Sequence, residues 1–381
     1  MIKVVVGVRR AGKSTLLRQF QKELLADGVN ANQITDYNFE DPAHRNIRSW
    51  TELYDEIDAK LVPDKMNYVF LDEIQLVPDF QRAVDGLHIK SNVDLYITGS
   101  NAYLLSGELA TLLSGRYIKI DVFPFSFFEY VQAFPDENPR DLYHNYSLFG
   151  GFPQVARLVQ SARSEISDYL RGVYDTIVVK DIALRRNFSD LSKFHSVAEF
   201  VLSNIGNITT PKKIADTMTS IGRNISNHTV ESFIEALTDS YVIFPAKRFD
   251  IQGKKLLQTR EKFYCVDAGL RNIVTNSMEG ADEGFILENI IYIELLKRYD
   301  NVWIGKVGEF EVDFVAQNIG GEFEFYQVAA HVSEQQTLDR EIRALNKIKH
   351  HGDKHLITLD PSHSIIDGIR RHYAVDWLLN Q

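Results

Sequence analysis

The chain of 381 residues has a single cysteine, Cys265, so no disulfide can close within it. No Cys/His grouping has the spacing of a zinc site, and a reducing compartment, the cytoplasm, is the expectation. There is no basic excess either. Against 42 Lys and Arg stand 52 Asp and Glu, a net charge of −10. Global charge therefore gives no argument for broad contact with nucleic-acid phosphate, although a local basic patch is compatible with it. No run approaches the roughly 18 apolar residues of a membrane span, and Met1-Ile2-Lys3 lacks the layout of a signal peptide. What remains is ordinary for a folded chain: 44% hydrophobic and 25% charged residues, long enough for two or three domains.

The most specific stretch is Gly7-Val8-Arg9-Arg10-Ala11-Gly12-Lys13-Ser14, which fits the phosphate-loop pattern G-x-x-x-x-G-K-[ST]. The apolar run Ile2–Val6 before it reads as a buried strand. From Thr15 onward, apolar residues recur at helical spacing. Gly7 and Gly12 permit backbone conformations and close approach that a Cβ blocks. The amides of Arg9, Arg10 and Ala11 can then form a nest for phosphate oxygens, with Thr15 in the first helical turn. The helix adds the positive end of its dipole. Lys13 is expected to reach the β- and γ-phosphates, and Ser14 to ligand Mg²⁺.

Tyr68-Val69-Phe70-Leu71-Asp72-Glu73 is an apolar strand ending in two acids. Downstream of a phosphate loop, Asp72 is placed to hold Mg²⁺, usually through water, and Glu73 to polarise the attacking water as a general base. A third strand, Asp94–Thr98, ends in Gly99-Ser100-Asn101. A polar residue there can sense the γ-phosphate or the attacking water. The sequence does not choose between Ser100 and Asn101, and a plain strand-end turn is equally served by these residues.

Strands at 2–6, 34–39, 68–72, 94–98 and 117–122 alternate with helices such as 13–26, 50–61 and 79–90. This alternation argues for a parallel sheet covered on both faces, with ligands at the carboxyl ends of the strands. The first strand begins at the second residue. Either the adenine base is left exposed, or the recorded start lies downstream of the true one. Leu105–Arg116 reads as a helix ending in Ser-Gly-Arg. Arg116 is a candidate arginine finger toward its own or a neighbouring subunit's γ-phosphate, though a cation closing a helix is the commoner role.

From Pro124 to about Arg186 the pattern is helical, broken at Phe149-Gly150-Gly151-Phe152-Pro153, a strong turn signal. It reads as a small lid, ending in Val178–Ile182 and the basics Arg185-Arg186. Residues 190–264 hold a capped helix at Thr210–Met218, the helix Asn227–Thr238, and a hairpin around Gly253-Lys254-Lys255, a winged-helix arrangement. The exposed set of its second helix is polar but poor in Arg and Lys, so domain packing is expected more than DNA contact. The remainder opens with a helix, Glu283–Lys297, and alternates strands with a further helix. Acids stand on it at Glu288, Asp313 and Glu324.

With GVRRAGKST, YVFLDEIQ, YITGSN, LLSGRY, FPFSFFEY, FGGFP, VVKDI and GEFEVDFVA in this order, the chain resembles prokaryotic AAA+ family ATP-binding proteins. In these an ATPase module is followed by a winged helix and a restriction-endonuclease-like domain of unknown function. The resemblance implies ATP and Mg²⁺ binding through Lys13, Ser14, Asp72 and Glu73. It also implies a fold of class α/β: a P-loop NTPase parallel sheet over 1–123, a helical lid over 124–188, a winged-helix-like module over 189–266, and an endonuclease-like α/β domain over 267–381. Metal-dependent nucleases of that fold use an acid on the first helix, an Asp, and then Glu or Gln two residues before a Lys. Glu288, Asp313 and Gln327 match, but Ala329 stands where the Lys belongs, so the nuclease site reads as degenerate and inactive.

Three functions remain open. The first is an ATPase whose cycle moves the C-terminal segments. The second is a DNA-binding or DNA-processing factor using the local basics Lys212-Lys213, Arg223 and Lys254-Lys255. The third is a non-hydrolysing ATP switch that presents a surface to a protein partner. A homo-oligomer is implied if Arg116 acts between subunits, and no membrane partner is expected.

Overall fold

The computed structural model describes residues 1–105, 115–183, 186, 188, 190–277 and 282–380. Most of the expected helix Leu105–Arg116, and Arg185 of the basic pair, lie outside the described residues. The chain divides into two compact units. One is Met1–Phe123 with Asp239–Tyr241, and the other is Pro124–Thr238 with Val242–Gln381.

The first unit is built on a five-stranded sheet of β1 (Ile2–Val6), β2 (Ile34–Asn38), β3 (Asn67–Asp72), β4 (Val93–Gly99) and β5 (Tyr117–Asp121), in the order β2-β3-β4-β1-β5. Every pair is parallel. Apolar residues occupy both faces because successive strand residues point to opposite sides. On one side Val5 and Phe70 pack with Leu17 and Leu24 of helix α1 (Lys13–Ala26). Their neighbours Val4, Val6, Val69 and Leu71 are equally buried and need cover from the other side. Helices α2 (Trp50–Asp58) and α3 (Phe80–His88) pack on each other, and α3 on β4. The expected order of strands and helices is thus realised within a residue or three at each end. The sheet order adds what the sequence does not state: β4 lies between the loop-bearing β1 and the acid-bearing β3.

In the second unit, helices α4 (Phe127–Gln132), α5 (Pro139–Phe149), α6 (Pro153–Ser161) and α7 (Ile166–Thr176) precede a π-helical turn, Ile177–Ala183, that carries Val178–Ile182. Then come α8 (Leu191–Ser203), α9 (Pro211–Ser220) and α10 (Asn227–Asp239), followed by the hairpin β6 (Ile243–Asp250) and β7 (Lys255–Cys265). Helices α11 (Ala268–Thr275) and α12 (Glu283–Arg298) lead into strands β8 (Asn301–Val307), β9 (Phe310–Gln317) and β10 (Phe323–Ala329). Helix α13 (Gln335–Asn346) and strand β11 (Asp353–Thr358) follow. Two short strands, Ser364–Ile366 and Ile369–Tyr373, and a last helix, Ala374–Leu379, close the chain, and none of these three was expected from the sequence. The hairpin forms where expected, but it does not stand apart as a wing. β6 pairs in parallel with β8, Arg248 opposite Ile304 and Asp250 opposite Lys306, so the hairpin is the edge of one eight-stranded sheet with the C-terminal strands.

The Phe149–Pro153 turn owes its shape to Asp267. One oxygen of this buried carboxylate accepts from the Leu270 amide at 2.9 Å, capping α11. The other accepts from the Gly151 amide at 2.7 Å. A Cβ on Gly150 would lie 2.0 Å from Asp267 Oδ1, so the carboxylate requires glycine there. Burial pushes the Asp267 pKa up to about 6, against the amide hydrogen bonds that pull it down. A folded pKa above the ordinary 3.8 means that this group favours the folded state most below 3.8, and that the advantage is lost as pH rises through about 6. The stability of the wild type relative to Asp267→Asn is therefore expected to fall between pH 4 and 7, by a few kcal/mol as an order of magnitude. Urea unfolding of both proteins across that range checks this, and a constant difference would contradict it.

Candidate functional site

The loop Gly7–Gly12 leaves the carboxyl end of β1 and ends at the amino end of the 14-residue α1. Gly7 lies so close to the chain after β5 that a Cβ would sit 2.0 Å from the Val122 carbonyl oxygen. Gly12 takes the left-handed region, φ 110°, as does Arg10 at φ 69°. The Lys13 ammonium is buried in the concavity of the loop and donates to the carbonyls of Gly7 at 2.9 Å and Val8 at 3.1 Å. Arg9 is buried and pairs with Glu40 at 2.7 Å. Ala11 is buried, Ser14 half-buried, and Arg10 and Thr15 are exposed.

Asp72 ends β3 and Glu73 follows it, both buried. Glu73 holds the left-handed backbone, φ 55° and ψ 41°, an uncommon state for a residue with a side chain. Thr98, at the end of β4, holds the pair together. Its hydroxyl accepts from the Glu73 amide at 3.0 Å and donates to Asp72 Oδ1. Ser100 donates to Glu73 Oε2 at 3.3 Å, and the Gln75 amide donates to the same oxygen. Asn101 is buried one residue further on, where its carbonyl starts the turn Ala102–Leu105. Lys13, Asp72, Glu73, Ser100 and Asn101 thus all lie at the carboxyl ends of three adjacent strands. Thr98 and Gln75 are partners that sequence reasoning missed. Only the sheet order, which sets β4 beside β3, brings Thr98 to the acids.

Arg116 is placed differently. It precedes β5, whose Tyr117 lies opposite Ile2, so it sits at the amino ends of the strands. Five residues at about 3.3 Å each put it about 16 Å from the loop. Half-exposed, it pairs with Asp85 at 2.6 Å. A contact with its own subunit's γ-phosphate is excluded, and only the neighbour's remains open to it.

The residues present fit a nucleotide and its metal. The loop has a buried cation, two glycines at positive φ that residues with a Cβ rarely adopt, and an α-helix amino end. The Asp72 carboxylate lies at the end of β3, with only β4 between it and the loop-bearing β1. Among the described residues, no group of three or more His, Cys, Asp or Glu is arranged to hold a metal by protein ligands alone. A phosphate-loop site does not need one, because phosphate and water complete the shell.

In the second unit, Glu288 on α12 and Asp313 on β9 are brought near each other, and a cation lies among them after all. Lys262 of β7 is buried, with its ammonium 3.1 Å from Glu288 Oε1 and 2.9 Å from Glu311 Oε1. The Tyr264 hydroxyl donates to Glu288 at 2.6 Å. Asp313 accepts from the Val328 amide at 2.8 Å. Burial pulls the Lys262 pKa down, but Glu288, Asp313 and Glu311 outweigh it and hold it above its ordinary value. Burial first, and then the Glu288 charge, raise Asp313 well above the usual carboxylate range. Gln327 accepts from the Asp313 amide at 3.4 Å and donates to Glu341 at 3.2 Å. The expectation that this cluster lacks a cation is corrected by Lys262, which comes from the hairpin and not from position 329. Glu324 faces the opposite side of the sheet from Gln327. There Tyr326 donates to it at 2.7 Å, and His355 and burial act against each other, with His355 Nε2, 3.1 Å away, holding its pKa down at about 2.

Residues 1–131 match an AAA domain, and residues 140–280 a domain of unknown function. With the parallel sheet and the loop geometry, this defines an AAA-type P-loop ATPase module. The whole chain is 39% identical over 384 residues to a Haemophilus influenzae protein described as uncharacterised, covering 99% of this chain and 94% of that one, and it belongs to that protein's family. A Methanocaldococcus jannaschii protein, also described as uncharacterised, is 29% identical over 367 residues, 91% of this chain and 78% of its own length. Among solved structures, a Walker-type ATPase of Pyrococcus abyssi aligns with TM-score 0.49 and 15% identity over 72% of this chain and 90% of that one. Cdc6p from Pyrobaculum aerophilum aligns with TM-score 0.29 and 13% identity, over 72% and 87%. Likenesses this distant carry nothing about substrate or partner. No helix among the described residues is long and apolar enough to cross a membrane.

Proposed function

We propose that the chain binds Mg²⁺-ATP in the phosphate loop and hydrolyses it, and that the nucleotide cycle moves the C-terminal segments. Loop amides and Lys13 hold the β- and γ-phosphates, and Lys13 neutralises charge that grows on the leaving oxygens. Ser14 and Asp72 would hold magnesium, which when bound would supply Lewis-acid neutralisation of the phosphate oxygens. Glu73 takes the proton of the attacking water. Ser100 or Asn101 senses the γ-phosphate, and Arg116 of a neighbouring copy completes the charge stabilisation.

The observation that supports this most directly is the burial of Lys13, Asp72 and Glu73 at the carboxyl ends of two parallel strands separated only by β4. Replacing Lys13 with alanine is expected to lower Mg²⁺-ATP affinity on the order of 100-fold, since about 3 kcal/mol rests on one charged phosphate contact. Isothermal titration calorimetry on the full chain measures this. Undiminished affinity would move the nucleotide site elsewhere.

A second reading, DNA contact by the helices α8–α10 and the hairpin, is favoured by the exposure of Lys212, Lys213, Arg223, Lys254 and Lys255. DNA that raises ATP turnover would support it, and turnover indifferent to DNA would count against it.

A further inference from the structure

Glu73 does not extend loosely from its strand. Its backbone is fixed by Thr98, and two donors from different segments, the Gln75 amide and the Ser100 hydroxyl, converge on one oxygen, Oε2. Gln75 follows two residues later in the turn Ile74–Leu76, and Ser100 comes from the end of β4. The other end of the Gln75 amide is tightly placed. Among the described residues its Oε1 is buried without a hydrogen-bond partner. It lies 2.8 Å from the point where a Cβ on Gly99 would stand, with Leu104 at 3.3 Å from the same point. The amide orientation is therefore dictated by Glu73: turned over, Gln75 would set its oxygen against the carboxylate. Gly99 has no positive φ, so no backbone conformation demands glycine there. The space a side chain would take there is filled by the end of Gln75.

We propose that Gln75 is a positioning residue for Glu73, and that Gly99 is glycine in order to seat it. This rests on the reading of Glu73 as the general base. Gln75 and Ser100 both donate to Oε2, which leaves Oε1 to face the attacking water. A base held in one orientation by two donors needs no rearrangement when water is to be deprotonated. The same contacts explain two sequence features that the phosphate-loop roles leave over: the Gln of Asp-Glu-Ile-Gln and the Gly of Thr-Gly-Ser-Asn.

The test is ATP turnover of the full chain, with kcat read apart from ATP affinity and Glu73→Gln as the reference for loss of the base. The variants are Gln75→Leu, which removes the donor at similar volume, and Gly99→Ala, whose methyl displaces the flexible end of Gln75. Each is expected to lower kcat about tenfold with ATP affinity unchanged, and the two together to lower it no further than either alone, because both act through one contact. Should Gln75→Leu fail to fold, Gly99→Ala decides alone. A kcat that stays in place in the folded variants, while Glu73→Gln abolishes turnover, overturns the inference. Turnover unchanged in Glu73→Gln overturns instead the reading of Glu73 as the base, on which the inference rests.

Discussion

Replacing Glu73 with glutamine is expected to lower ATP turnover by about 10²–10⁴-fold while ATP affinity stays within a few-fold of wild type. The substitution keeps the side-chain length and one acceptor oxygen. That oxygen can still receive the hydrogen bond from Gln75 or Ser100 that Oε2 receives in the wild type. The left-handed backbone and the amide bond to Thr98 are untouched, because they belong to the main chain. What disappears is a site that can take a proton. Binding contacts lie with the loop and Lys13, so a selective loss of turnover separates the two roles. Single-turnover kinetics with calorimetry measures both. Turnover unchanged in this variant would remove Glu73 from the chemistry.

The second large effect is on stability. Replacing Lys262 with methionine is expected to destabilise the second unit by about 3–5 kcal/mol, because it strips the counter-charge from buried acids. Glu288 would retain the Tyr264 hydroxyl, but Asp313 and Glu288 would face each other with no cation between them. Converting Glu288 to glutamine in the same chain should recover part of the loss, since the charge that needs Lys262 is then gone. Guanidinium unfolding of the wild type and both variants gives the comparison, and a loss below about 1 kcal/mol for Lys262→Met would mean that the pair is well solvated. The same ion pairs support reading the cluster as inactive in phosphodiester cleavage. The ammonium lies against Glu288 and Glu311, and Gln327 spends its amide on the Asp313 backbone and Glu341. Mg²⁺- or Mn²⁺-dependent DNA cleavage that vanishes in Asp313→Ala would overturn that reading.

The ATPase module was legible because its information is local. The loop from Gly7 to Ser14 is one contiguous stretch with fixed spacing, and strand–helix alternation needs only hydrophobic period. Asp72 and Glu73 were legible because they end an apolar run. Thr98 and Gln75 were not, since their work depends on β4 lying beside β3, and a strand order is a set of pairings distant in sequence. Lys262 was missed for a related reason. The sequence separates a hairpin from the C-terminal strands, whereas the parallel pairing of β6 with β8 makes them one sheet and carries the hairpin lysine to the acids. A cation sought two residues after Gln327 was sought on the wrong strand. Arg116 was legible as a cation in a turn, but which end of the sheet it occupies follows only from the register of β5 on β1.

The most direct test of ATP hydrolysis at this site is the Mg²⁺-dependent turnover of the full chain measured against protein concentration, with and without double-stranded DNA. Turnover per chain that climbs with concentration is the predicted result, because Arg116 can serve only a neighbouring copy. Tight ATP binding without turnover at any concentration, DNA present or absent, would contradict the account and leave a nucleotide switch that acts through a protein partner.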